Sequence, residues 1–331
     1  MSRKIFAHVF FALLVLFSGC GNKGPKYKIR KKRDKVAYII DESAINFAPL
    51  VENALNDTFY DPMPDAVFDV DGFTPAQFQL DAGYPFVFIL TAPQLTSYAF
   101  FKIAFGDKGP GIYSKENVFS EGDFVIGVCA PGPELLEAFM KKYSTQVKRM
   151  LYNAYMKHLK KLVYFAGKND WMKKEIVKKY GISLDVPAGW TYIKLKDTIM
   201  KFDDIFGITK HYPERFMFFY HRPDIRYFDE DLLIKIRDSI ASLYYGGDKV
   251  VKSSVKTDSM QFLGKYNALV LTGAWQDPKE YVGGPFRTIA FISDRGFYMI
   301  DMGVYAPEKR RKVQYLLRMQ IFASSMRFLS E

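Results

Sequence analysis

One run in this chain constrains the fold more than any other. From Pro133 onward, apolar residues recur every three or four places: Leu136, Phe139, Tyr143, Val147, Met150, Ala154, His158 and Leu162. That is the period of a long helix with one buried stripe. A second helix follows in "NDWMKKEIVKKYG", with Asn169 or Asp170 as N-cap and Gly181 as stop. Strand-like runs lie on both sides of this helical centre. Before it come "VAYIID" (36–41), "PFVFILTAP" (85–93) and "DFVIGVCAP" (123–131), with a short helical pattern in "FAPLVENALNDTF" (47–59). After it come "GISLDVPAGW" (181–190), "ERFMFFYHRP" (214–223), "NALVLTGAW" (267–275), "FRTIAFIS" (286–293) and "FYMIDMGVYA" (297–306). These runs are β-branched or aromatic and are bounded by Pro and Gly, as strands are. "DEDLLIKIRDSIASLYYGG" (229–247) reads as a helix with acid at its start and glycine at its end. A last helix starts at Pro307. The expected class is α+β, in two mixed halves, each an antiparallel sheet covered by helices. The first half is placed at 36–179 and the second at 180–331.

A composition that is 49 % hydrophobic and 17 % aromatic is enough for real cores. The formal charge of +11 is unevenly spread: residues 1–35 carry +9, 36–140 carry −12, 141–179 carry +10 and 180–331 carry +4. The expectation is that the 141–179 helices pack an apolar stripe on a sheet. Lys141, Lys142, Lys148, Arg149, Lys157, Lys160 and Lys161 would then turn partly toward the acidic first half. Docking on anionic lipid or on an anionic envelope polymer are the other readings of this basic stretch.

The N-terminus reads as an address. Arg3 and Lys4 precede a thirteen-residue apolar run, Ile5 to Phe17, broken only by His8. A membrane span needs roughly 20 apolar residues, so the run is too short to cross and fits a cleaved signal (1–19). Phe17-Ser18-Gly19-Cys20 resembles the lipobox of bacterial lipoproteins, in which the cysteine is acylated, typically with palmitate, and becomes the new N-terminus. That resemblance makes Cys20 the lipid attachment and residues 20–35 a lipidated basic tether. By the same analogy, Gly21 carries no inner-membrane retention signal and the basic tether no surface-export signal. The expected location is therefore the outer membrane, facing the periplasm. Cys129, the other cysteine, lies in an apolar run and reads as a small buried hydrophobe.

Three segments, "YGISLDVPAGW", "GAWQDPKEYVGGPFRTIAFI" and "GVYAPEKRRKVQYLLRMQ", resemble an uncharacterised family of Gram-negative envelope lipoproteins, domain of unknown function 4837. The resemblance runs from about Asp34 to the C-terminus. It implies a two-part α+β body and no established activity, so it brings no catalytic residues. The strand–helix–strand order of the second half, with "DVPAGW", also resembles the PsbP-like fold of extrinsic photosystem II proteins, which serves mainly in binding.

No nucleophile elbow, phosphate loop or zinc-protease motif is present in the sequence. His158 falls on an apolar helix face. His211, His221 and Asp224 follow no metal-ligand spacing. The acids at 229–231 suit a helix N-terminus better than acid–base work. No catalytic residue, metal or cofactor is therefore assigned. The binding candidates are Trp275, Tyr281, Gly283 and Gly284, with Trp275 expected to face solvent and the glycines to take positive φ. The expected role is that of a non-catalytic binding or assembly factor. Its partners would be the membrane, through Cys20, and an envelope protein complex or anionic polymer, with nucleic acid excluded by export. A periplasmic hydrolase acting on peptidoglycan or glycan is the alternative.

Overall fold

The structure is a computed structural model. It describes residues 34–56, 58–61, 63–80, 83–195, 198–199, 201–202, 204–244, 247–309 and 311–329. Contacts divide the chain into two compact units. One comprises residues up to Leu55 with Asp69–Val147; the other comprises Asn56–Phe68 with Lys148–Glu331.

In the first unit, β1 (Lys35–Ile39) is followed by a 3-10 turn and α1 (Ala48–Leu55). The chain then leaves to form a hairpin, β2 (Thr58–Asp61) and β3 (Met63–Ala66), which belongs to the second unit. It returns as β4 (Asp69–Phe73), β5 (Phe86–Thr91), α2 (Tyr98–Phe105), β6 (Gly111–Glu116) and β7 (Phe124–Cys129). The sheet order is β4-β1-β5-β7-β6. The first four strands are parallel, and only the edge strand β6 runs against its neighbour.

The expected antiparallel sheet of the first half is thus corrected to a mainly parallel one. The reason lies in the strands: "FVFILT" is buried at every position and "FVIGVC" at all but its first, as parallel strands covered on both faces are. Tyr38 Oη, on one face, donates to Glu52 of α1 at 2.9 Å. On the other face, Phe101 and Ala104 of α2 pack with Ala37, Ile39, Val87, Ile89, Val125 and Cys129. Gly127 lets α2 approach, since a Cβ there would lie 2.5 Å from the Phe105 ring.

Next, α3 (Leu136–Val163) and α4 (Asp170–Tyr180) form the helical centre. Asn169 caps α4 by accepting from the Met172 amide at 3.0 Å, and Gly181 ends it in the left-handed region. The division between units falls inside α3, at 147/148 rather than at 179/180.

The second unit continues with β8 (Ile182–Ser183), β9 (Thr191–Tyr192), the short ladder β10 (Lys194–Leu195) and β11 (Thr198–Ile199), β12 (Lys201–Phe202), β13 (Ile205–Lys210) and β14 (Glu214–Arg222). Then come α5 (Glu230–Tyr244), β15 (Lys249–Val250), β16 (Lys256–Phe262), β17 (Tyr266–Asp277), β18 (Val282–Ser293), β19 (Gly296–Tyr305), α6 (Val313–Ala323) and β20 (Arg327–Phe328). The main sheet runs β12-β13-β14-β19-β18-β17-β15, with β9 paired to β13 and β16 to β17. Every one of these pairings is antiparallel.

Both faces of this sheet are covered. Met172 and Ile176 of α4 and Leu316, Met319 and Phe322 of α6 pack with Phe206, Val270, Ile289 and Ile300. Leu233, Ile234 and Ile240 of α5 pack with Phe216, Phe218, Leu271, Trp275, Phe286 and Met299. Asp229 starts α5 by accepting from the Leu232 amide at 2.9 Å. The excursion 56–68 is fixed here because Asp65 accepts from the amides of Lys312 (2.6 Å) and Val313 (2.8 Å) and so caps α6.

Candidate binding groove at one end of the second sheet

Strand polarity brings three features to one end of the sheet: the β13–β14 turn, the β17–β18 turn and the exit of β19. The β17–β18 turn is built by Asp277, whose Oδ1 accepts from the amides of Lys279 (2.7 Å) and Glu280 (3.2 Å). This is the local cap that makes Asp a turn residue. Tyr281 then takes φ +55° and stands 94 % exposed. A non-glycine residue in that region costs roughly 1–2 kcal/mol, and this one carries a ring with nothing to gain from burial.

Trp275 is not solvent-facing; it is only 4 % exposed. Its ring centroid lies 5.8 Å from that of Phe216 and 6.4 Å from that of Tyr305, on the sheet face covered by α5. Gly283 and Gly284 do not adopt positive φ, contrary to expectation. They are needed for close approach instead. A Cβ on Gly284 would sit 1.9 Å from the Val304 carbonyl oxygen, and one on Gly283 would sit 2.6 Å from the Trp275 carbonyl oxygen. Gly284 is the register partner of Trp275. The same face repeats the pairing of a ring with a bare strand position twice more, Phe286 with Gly273 and Phe216 with Gly303.

Around this turn is an open groove of about 690 Å³, lined by Trp275, Asp277, Tyr281, Gly283, Gly284 and Lys312 among others. Trp275 Nε1 is buried without a hydrogen-bond partner, 3.3 Å from where a Gly284 Cβ would stand. A second groove of about 480 Å³ lies at the β13–β14 turn and the β19 exit, lined by Tyr212, Glu214, Tyr305 and Lys309.

A buried charge cluster on the α5 face escaped the sequence reading. Arg237 of α5, 3 % exposed, donates through Nε to Asp301 at 3.1 Å and lies 4.3 Å over the Phe286 ring. Thr288 donates to the same Asp301 oxygen at 2.6 Å. Asp248 is pushed up to about 6, chiefly by burial, with Arg237 opposing the shift and Asp277 adding to it. The signal was available. Leu233, Ile234, Arg237, Ile240 and Ala241 form one buried helix stripe with a charge in its middle, and Asp301 interrupts an apolar strand.

The remaining candidates do not converge. His221 donates to the Arg295 carbonyl at 2.9 Å and stacks on Tyr298, while Asp224 pairs with Arg222. Among the described residues, no three His, Cys, Asp or Glu side chains are placed to hold a metal ion. Cys129 is buried, its thiol pushed up by that burial. At the carboxyl ends of β1 and β5, the crevice where open α/β sheets bind ligands, Asp41 accepts from the amides of Thr96 and Ser97 at 2.9 Å. The protein's own carboxylate therefore occupies the start of α2. Cys20 lies outside the described residues.

The molecule is thus an α+β protein with a parallel first unit and a second unit whose antiparallel sheet carries helices on both faces. Residues 169–325 match the model of the family described as Domain of unknown function (DUF4837). No curated protein matches the chain. Among solved structures, PA94 of Pseudomonas aeruginosa, a protein of unknown function, aligns with 36 % of this chain and 85 % of its own at 14 % identity and TM-score 0.21. LpqN of Mycobacterium tuberculosis, described as involved in cell envelope biogenesis, aligns with 45 % of this chain and 83 % of its own at 11 % identity and TM-score 0.26. At such TM-scores neither alignment carries an argument.

Proposed function

We propose that this chain is an envelope lipoprotein whose second unit is a non-catalytic binding module. In this reading an acylated Cys20 and the basic tether hold it to the periplasmic side of the outer membrane. Among the described residues no helix is long and apolar enough to cross a membrane, so the anchorage proposed here rests on residues 1–35. The observation that supports binding is the groove at the β17–β18 turn. Its lining includes the bare main chain of Gly283 and Gly284, and Tyr281, a ring held in the open on a strained backbone. Tyrosine is enriched at binding hot spots because one ring offers both apolar area and a hydroxyl.

The hydrolase alternative draws on one observation, the raised carboxyl of Asp248. That group is buried beside Arg237, whereas an acid–base residue must reach a substrate. The binding reading is therefore the better supported. Tyr281→Ala tests it: the melting temperature should stay within about 1 °C, because an exposed side chain away from packing changes stability little. Envelope proteins that co-purify from detergent extracts should be lost. Retention of the same partners by the variant would remove the groove from the account. Release of soluble fragments from peptidoglycan, abolished by Asp248→Asn, would favour the hydrolase.

A further inference from the structure

The corner between α3 and α4 exposes two aromatic rings among cations. Phe165 is 75 % exposed and Trp171 59 %, six residues apart across one turn. Lys168, three residues from each ring in sequence, lines an open groove of about 630 Å³ together with Lys157 and Lys160 of α3 and Arg327 of β20. Lys157 and Lys160 are two of the seven helix cations expected to turn partly toward the acidic first half. The one acid in that groove, Asp185, is already held by Lys168 at 2.6 Å and Lys173 at 2.7 Å. Residues 157–179 contain eight lysines against Asp170 and Glu175.

We propose that this corner docks on an anionic phospholipid surface, with Phe165 and Trp171 entering the headgroup layer and Lys157, Lys160 and Arg327 contacting lipid phosphates. Cations alone would suit any polyanion. The rings decide for a membrane: aromatic side chains favour the bilayer interface, and a phenylalanine has no hydrogen bond to offer a glycan or polyphosphate. An acyl chain plus a basic patch is also the two-signal arrangement that makes anchoring stable. The inference relies on the proposed lipoprotein reading only for bringing the corner near a bilayer.

The chain carries its own reporter. Of its three tryptophans, Trp190 and Trp275 are both 4 % exposed, leaving Trp171 as the accessible one. The full processed chain, acylated if it is so isolated and added to preformed vesicles if not, is mixed with vesicles of brominated phosphatidylglycerol or brominated phosphatidylcholine. Trp171 emission should be quenched in the anionic vesicles, spared in the neutral ones, and restored by high salt. Lys157→Glu with Lys160→Glu, its fold checked by circular dichroism, should weaken binding of the unacylated chain to the vesicles about 30-fold or more. Phe165→Ser should reduce quenching without touching any charge. Equal quenching in both lipids, or quenching indifferent to the lysine pair, would overturn the proposal. So would lysine-dependent binding of soluble polyphosphate while Trp171 stays open to aqueous acrylamide on anionic vesicles. Because the read-out contrasts two lipids, it is independent of whether Cys20 proves to be acylated.

Discussion

At the scale of single residues, the second sheet is arranged around missing side chains. Gly284 faces the Val304 carbonyl so closely that even a methyl group would need the strands to part. Gly284→Ala should therefore cost about 3 kcal/mol or more, the range of overpacking where backbone must move, read as a drop in denaturant midpoint. A second residue-scale prediction concerns pH. Asp248, raised to about 6 by burial, binds its proton more tightly folded than unfolded. Its contribution to stability is full below the ordinary aspartate value and is lost as pH rises through about 6. Asp248→Asn should remove that slope and gain up to about 3 kcal/mol at pH 7 relative to the parent, measured by urea unfolding at pH 4 and 7. An unchanged slope would mean that another group carries it. The misreading of Trp275 belongs here too. In "NALVLTGAW" both parities are apolar, because helices cover both faces of the sheet. Alternation could not tell which face the ring takes, or that it is covered. Tyr281 was named for its residue type and its place in a Pro- and Gly-bounded loop; its exposure was not read from the sequence.

At the scale of elements, strands were plain where Val, Ile and Phe run together, as in β5, β7 and β18, but the more polar β4, β6 and β16 were not, nor was strand direction in the first unit. Direction depends on how strands are connected, and the connection from β1 to β4 detours through a hairpin packed in the other unit. That detour is held by a contact spanning 247 residues, Asp65 on the α6 N-terminus, which no local pattern announces. Asp65→Ala should cost about 1–2 kcal/mol, as lost helix caps do, and should speed amide exchange at the start of α6. A loss below a few tenths would show that the cap does not hold the hairpin. Arg237 ties α5 to β19 in the same way. Arg237→Met leaves Asp301 buried without its cation and should cost about 3–5 kcal/mol. Pairing that change with Asp301→Leu should recover most of the loss, since the stranded charge is then removed.

At the scale of the whole molecule, a proposed N-terminal address precedes a body without a catalytic constellation among its described residues. The Ser18-Gly19-Cys20 exit from the apolar run supplies the proposed anchor, and the grooved second unit supplies the proposed binding. The most direct measurement is the intact mass of the mature protein from its native membranes, with fractionation of Cys20→Ser alongside. The account predicts a chain beginning at Cys20 and carrying acyl chains, found in the membrane fraction, with Cys20→Ser left as an uncut or soluble precursor. A mature N-terminus elsewhere, an unmodified Cys20, or a Cys20→Ser protein that fractionates and migrates like the parent would contradict it.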